Sequence, residues 1–173
     1  MSACHRRSAG SVTRLPTLYE ELEPVETIGL GHRVAETIRT DVAWTLENVG
    51  NVESGGWLLG CSSDYVLQAT VPGSDSYATR SSIDLGYEQL QRAQRQHGDA
   101  LLGCWHFEPD GDSIPSEQDL RAWATGARLT GDRWVGLIVT PFRSWRPEPE
   151  ISGWQTVRLP NGQMLAERLK VAT

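Results

Sequence analysis

Trp105-His106-Phe107-Glu108-Pro109, followed by Pro115-Ser116-Glu117-Gln118-Asp119, carries one imidazole and two carboxylates with a serine hydroxyl beside them. Those groups at that spacing can share a divalent metal. Gly103-Cys104-Trp105 ends an apolar run, so His106 and Glu108 fall at the close of a predicted strand. Residues two apart on a strand share a face, and both side chains can then reach one ion. Asp119 falls in the first turn of a helix opened by Ser116. A strand end facing a helix start can supply three ligands and leave a position open for water. Hydrolysis at such a centre also needs a base near the water. Glu53 is the candidate, because it is a lone carboxylate in Val52-Glu53-Ser54-Gly55-Gly56-Trp57-Leu58-Leu59-Gly60, where an unpartnered charge is costly.

Each of these residues also has a plainer reading. A histidine at a strand end is commonly a hydrogen-bonded structural group. Glu108 alone would be a loop-edge carboxylate, and Glu53 alone half of an ion pair. Ser116-x-x-Asp119 spells a helix capping box. That reading is compatible with metal binding, since a cap holds the helix start still. Asp110 and Asp112 lack the periodicity of a calcium loop and read as turn residues at the cleft rim. Cys104 reads as a small core thiol. Trp57 and Trp105 read as groove lining or as core.

The elements that must position these groups follow from periodicity. Val34, Ile38, Val42 and Leu46, flanked by Ala35 and Ala43, predict an amphipathic helix over His32–Val49, broken at Gly50-Asn51. Val52–Cys61 reads as a buried strand and Tyr65–Val71 as its partner across the turn Ser62-Ser63-Asp64. Pro72–Ser82 reads as loop or edge strand. A helix over Leu85–Gln96 follows, with Asp84 as its expected cap and Gly98 as its stop. Strands are expected at Ala100–Phe107 and Trp134–Thr140, with the Ser116 helix running to about Leu129 between them. Arg143–Pro149 should be an irregular loop, and Ile151–Leu159 with Met164–Val171 a hairpin around a two-residue Asn161-Gly162 turn. The order gives a mixed, mainly antiparallel sheet with interleaved helices. Residues 1–17 read as a flexible tail and 18–173 as a single domain.

Composition narrows the class. The chain has 173 residues, 39% of them hydrophobic and 22% charged, which suits one domain with a substantial core. Seven Trp against two Phe reads as partly polar core filling. A net charge of −6 argues against nucleic acid as a partner. Cys4, Cys61 and Cys104 form an odd set without CxxC spacing, as expected of reduced thiols in the cytoplasm. No apolar run is long enough to suggest a membrane partner.

Glu53, then His106-Phe107-Glu108-Pro109, then seven residues between Glu108 and Ser116, then Ser116-Glu117-Gln118-Asp119 is an order that resembles a known family. It is similar to the JAB/MPN metalloproteases of prokaryotic type, whose JAMM motif is an upstream Glu, His-x-His followed by Pro, and Ser-x-x-Asp at the same spacing. Glu-Ser-Gly-Gly-Trp-Leu-Leu-Gly around Glu53 and a helix ahead of the Gly-Cys-Trp-His strand match as well, over about residues 30–140. The resemblance implies an α/β fold of the α+β type, the cytidine-deaminase-like MPN/JAB fold, with a mixed sheet flanked by helices. It implies a zinc ion held by His106 and Asp119, with Glu108 where the family has its second His. Glu53 would deprotonate the water and pass its proton to the leaving amine, and Ser116 would stabilise the tetrahedral oxyanion. The implied reaction is hydrolysis of an amide or isopeptide bond, often after the C-terminal glycine of a ubiquitin-like protein. Two carboxylates and one imidazole would neutralise a divalent ion, weaken its hold on bound water's acidity, and shift preference toward Mn²⁺ or Fe²⁺. The alternatives are a catalytically silent MPN module that binds a partner, and a peptidase acting on a small peptide or amide.

Overall fold

Both faces of one sheet are covered by helices, which is why the apolar runs of its central strands are nearly unbroken. The computed structural model describes residues 26–131, 133–141 and 148–173, with His97 described by its backbone alone. The tail over residues 1–17 and most of the loop over Arg143–Pro149 lie outside the described residues. The elements run β1 (Glu26–Leu30), α1 (His32–Asn48), β2 (Ser54–Gly60), β3 (Tyr65–Val66) and β4 (Gln68–Ala69). They continue with β5 (Tyr77–Ala78), β6 (Ile83–Asp84), α2 (Glu88–His97), β7 (Ala100–Phe107) and α3 (Glu117–Thr130). β8 (Arg133–Thr140), β9 (Glu150–Arg158) and β10 (Met164–Ala172) complete the chain.

Eight strands form one sheet in the order β3-β1-β10-β9-β8-β7-β2-β4, and β5 and β6 form a separate small hairpin. β2–β7, β8–β9 and β9–β10 pair antiparallel, while β7–β8 pair parallel with α3 as the crossover. The mixed, mainly antiparallel sheet flanked by helices is the expected one. No helix among the described residues is long and apolar enough to cross a membrane.

The predicted partner strand Tyr65–Val71 is instead split. Tyr65–Val66 pairs parallel with β1, only Gln68–Ala69 pairs with β2, and the Leu67 amide donates to the Leu59 carbonyl at 2.9 Å. One short segment thus touches both ends of the strand order and curls the sheet. The predicted Asp84 cap is also corrected. Asp84 ends β6, and α2 starts at Glu88, where Asp75 Oδ2 accepts the Tyr87 and Glu88 amides at 2.6 and 3.0 Å. Those amides hold the Asp75 carboxyl below its usual range. The hairpin turn takes three residues rather than two, because Gly162 sits at φ +82° and donates to Leu159.

On one sheet face, Val34, Ile38 and Val42 of α1 pack on Leu58, Trp105, Phe107, Val135, Leu137 and Val139. On the other, Leu120, Trp123, Ala124 and Ala127 of α3, an i, i+3, i+4, i+7 stripe, pack on Trp134, Ile138 and Trp154. A register shift between Leu58 and Leu59 makes Leu102 the extra residue of a bulge in β7. Beyond it Trp105 and Phe107 face α1, leaving Cys104 and His106 on the α3 side. α3 lies close because two glycines admit two indoles. A Cβ on Gly136 of β8 would stand 2.4 Å from the Trp123 ring, and one on Gly126 of α3 would stand 2.4 Å from the Trp134 ring.

Gly→Ala within a helix ordinarily stabilises by about 1 kcal/mol through propensity. Gly126→Ala should do the opposite here and lower stability by about 1–3 kcal/mol, because the methyl group overpacks against a buried ring. Urea denaturation midpoints measure this, and a stabilised Gly126→Ala protein would contradict the close packing.

Candidate active site

Three segment ends meet on the α3 side of the sheet. His106 is the penultimate residue of β7, flanked in register by Gly55 of β2 and Ile138 of β8. It is 6% exposed and lies against Trp123, with ring centroids 6.4 Å apart. The Glu108 amide donates to the Val139 carbonyl at 2.8 Å, which carries β7–β8 pairing one residue past the strand. Glu53 immediately precedes β2. Since Ser54 pairs with Phe107, the antiparallel register brings Glu53 opposite Glu108.

Asp119 is fixed by the predicted capping box. Ser116 Oγ accepts the Asp119 amide at 3.1 Å, while Asp119 Oδ2 accepts the Ser116 amide at 2.8 Å and its hydroxyl at 2.6 Å. The other oxygen, Oδ1, stands 3.8 Å from His106 Nε2. That is longer than a hydrogen bond, so neither atom satisfies the other. The helix N-terminus favours the negative charge of Asp119. Trp154 Nε1 donates to the Ser113 carbonyl at 3.0 Å and steadies the loop that leads into the cap.

The electrostatics set the protonation states. Burial holds the His106 imidazole below its usual range, against the pull of Asp119. A neutral imidazole keeps a lone pair for a cation. Burial, then the Glu108 and Asp119 charges, push Glu53 up to about 7. Burial also raises Glu108, opposed by the Asp110 amide and assisted by Asp119, Asp110 and Asp112. Cys104 is pushed up to about 12 by burial, so it stays an unreactive thiol at neutral pH.

The facing nitrogen and carboxylate of His106 and Asp119 suit a divalent cation in donor chemistry. Glu108 does not close on the same point: its Oε1 lies 3.4 Å from the Asp110 amide. Among the described residues no three His, Cys, Asp or Glu side chains converge tightly enough to hold an ion as they stand. Glu108 would have to turn inward to join.

The site opens into a groove of about 730 Å³ between α3 and the segment around β6. Glu53, His106, Glu108, Ser116 and Asp119 all line it. Trp57 lines it too, with Nε1 donating to the Gly86 carbonyl at 2.9 Å and its ring stacked on Tyr87. Trp105 also borders the groove, but it is wholly buried and its Nε1 donates to the Thr70 carbonyl at 2.8 Å, so it belongs chiefly to the core. Asp110 pairs with Arg80 at 2.7 Å, and Asp112 accepts the Ile114 amide, so both brace the rim. The β5–β6 wall, including Ser81, Ser82 and Tyr87, escaped the sequence reading. Its two-residue strands carry too little pattern, and only the polar run after Gly73 marked it as a loop.

Glu53 binds its proton more tightly in the folded protein than at its ordinary 4.5. Between about pH 4.5 and 7 the folded state therefore holds the extra proton, and stability falls as pH rises. In metal-free protein, Glu53→Gln should remove that loss. Its stability relative to the parent should grow from pH 5 to pH 8 by on the order of 2 kcal/mol, read from denaturation curves at each pH. A pH-independent difference would show that Glu53 ionises normally.

Residues 35–154 match the family of prokaryotic homologs of the JAB domain. Among solved structures, the solution structure of protein DSY2949 from Desulfitobacterium hafniense is similar, with a TM-score of 0.56 and 19% identity. The match covers 84% of this chain and 91% of that one, and at this identity it speaks for the fold alone. No curated protein matches the sequence significantly. With the family match spanning well over half its length, the chain belongs to the prokaryotic homologs of the JAB domain.

Proposed function

We propose that this protein is a metal-dependent hydrolase of amide or isopeptide bonds that processes or deconjugates a ubiquitin-like protein. The observation that carries the reading is the pairing of His106 Nε2 and Asp119 Oδ1 across 3.8 Å, beside a buried carboxyl poised near neutrality. Family membership supports it, since JAB domains include metal-dependent hydrolases. His106 and Asp119 would hold the ion, with Glu108 as a third ligand once turned from Asp110. Zinc is the expected metal, and the second carboxylate makes Mn²⁺ or Fe²⁺ plausible substitutes.

A bound ion would supply Lewis acidity to an attacking water and to the scissile carbonyl. The chain's own groups supply the rest. Glu53 takes a proton from the water on its carboxylate and delivers it to the leaving amine nitrogen. Burial, the leading cause of its raised pKa, makes Glu53 a stronger base than an ordinary carboxylate. Ser116 Oγ, at the groove edge of the helix start, donates to the oxyanion once its proton leaves Asp119 Oδ2. Trp123, packed against the imidazole, limits its reorientation.

One observation favours a second reading, a silent JAB module acting as a protein-binding scaffold: Glu108 faces loop backbone and the ligands do not converge. Metal analysis separates the two. Protein purified under zinc-, manganese- and iron-replete conditions should carry about one ion per chain. His106→Ala and Asp119→Ala should each lose it, and Glu108→Ala should weaken it. The loaded protein should cleave ubiquitin-like fusions or isopeptides, and Glu53→Gln should lower kcat by about 100-fold or more while retaining metal. No bound metal under all three conditions would leave the scaffold reading standing. Metal binding and cleavage confined to short peptides would move the substrate to small amides.

A further inference from the structure

We propose that Thr140 is a positioning residue, whose hydroxyl holds the Glu108 carboxylate once that side chain turns inward toward His106 and Asp119. The assignment rests on the metal centre of the hydrolase reading. From Trp134 to Val139, β8 carries only apolar residues and Gly136, and it then ends on a hydroxyl. Thr140 is 1% exposed, and among the described residues its Oγ1 has no hydrogen-bond partner. A buried hydroxyl left unpaired is costly, and a valine of nearly the same shape would avoid that cost. β7 and β8 pair in parallel with Phe107 beside Val139, so Glu108 falls beside Thr140. The bond from the Glu108 amide to the Val139 carbonyl at 2.8 Å carries the pairing to that point. Val139 packs on the α1 side and Ile138 on the α3 side, so alternation turns Thr140 to the α3 side. That is the side of His106 and Trp123.

The two groups are complementary. An ionised carboxylate only accepts, and a threonine hydroxyl has one proton to donate. Paired strands lie about 4.8 Å apart, a gap that a glutamate and a threonine can close between them. Glu108 is held weakly where it stands, because its Oε1 accepts the Asp110 amide at 3.4 Å, near the limit of a hydrogen bond. Carboxylates that ligate a metal are themselves held by hydrogen bonds from groups behind them. Thr156 shows that an unpaired hydroxyl is not by itself the signal. It is equally buried and also without a partner, but its register neighbours are Trp134 and Ala166, neither of which offers a side-chain acceptor. Thr140 instead has a carboxylate beside it on each strand, Glu108 on β7 and Glu150 on β9. Glu108 lines the groove with His106 and Asp119, whereas Glu150 borders a separate pocket beside Arg39. Glu108 is therefore the one that an inward turn brings to both the ion and the hydroxyl.

The test reads metal affinity and fold stability separately. Zn²⁺, Mn²⁺ and, without oxygen, Fe²⁺ are titrated into metal-free, full-length protein against a chelating indicator. Thr140→Val should weaken binding by about 10-fold or more, while Thr140→Ser, which keeps the hydroxyl, should bind like the parent. In a Glu108→Ala background, Thr140→Val should cause no further loss. Without metal, Thr140→Val should raise the urea midpoint, since it removes an unpaired buried hydroxyl. Thr156→Val should raise it too, with metal affinity unchanged. A structural role alone would not weaken binding in a more stable protein. Equal affinity of Thr140→Val and the parent, a loss that persists without Glu108, or an equal loss in Thr156→Val would overturn the proposal. So would a lowered metal-free midpoint in Thr140→Val, which would make the residue a packing group. Affinity indifferent to Thr140 in a protein that cleaves isopeptides would sink the positioning role and keep the hydrolase reading. Affinity that depends on Thr140 in a protein that cleaves no amide would do the reverse. Absence of binding by all three metals would overturn both.

Discussion

The site depends on how closely α3 can approach the sheet. Trp123 from the helix occupies the space where Gly136 lacks a side chain, and Trp134 from the sheet occupies the space where Gly126 lacks one. This reciprocal arrangement buries two large rings, each worth several kcal/mol against truncation. It also leaves the helix little freedom to slide. Its N-terminus is thereby held at the end of β7, where Asp119 meets His106. An indole against His106 on the same helix makes packing and site one structure. Two of the seven tryptophans thus set a distance as well as fill a core.

The second constraint is charge. Glu53, Glu108 and Asp119 line one pocket with an imidazole that burial holds neutral. Partly buried carboxylates close together cannot all ionise without a counter-charge. Burial first, and then the Glu108 and Asp119 charges, raise Glu53 to about 7. Arg80 offers no relief to that pocket, since it is engaged with Asp110 at the rim. An acidic, partly buried cleft with a neutral imidazole is an arrangement that a divalent cation would stabilise. Glu108, as a further carboxylate on that cleft, increases the demand for positive charge.

Much of this was legible in the sequence because the relevant signals are local. The Ser116-x-x-Asp119 cap, the apolar spacing of α1 and the alternation of β7 each lie within a dozen residues, and each element forms near its expected bounds. The failures share a different cause. The segment Tyr65–Val71 has ordinary strand character, but its division between β1 and β2 depends on the curl of the whole sheet. The cap of α2 comes from Asp75, twelve residues before Tyr87, so no adjacent pattern could name it over Asp84. Likewise, spacing puts Glu108 on the His106 side of the strand, yet its carboxylate lies near the Asp110 amide. The rotamer was decided by a loop, not by strand period.

Ser116 shows how one residue can serve fold and chemistry in turn. In the free protein its hydroxyl oxygen caps the Asp119 amide while its proton goes to Asp119 Oδ2. The bond given up when that proton turns away is the one to the carboxylate, worth about 1.5–3 kcal/mol. A donor aimed at a developing oxyanion is worth about 3–4 kcal/mol in the reacting state. Under the hydrolase reading, the hydroxyl proton can therefore leave Asp119 for the oxyanion at a net gain. The helix start would not unravel, because the Ser116 amide still donates to Asp119 Oδ2 at 2.8 Å. Releasing that proton would also leave Asp119 with more negative charge to share with a cation beside His106. The exchange would therefore strengthen cation binding when the transition state needs it, which a threonine could reproduce and an alanine could not.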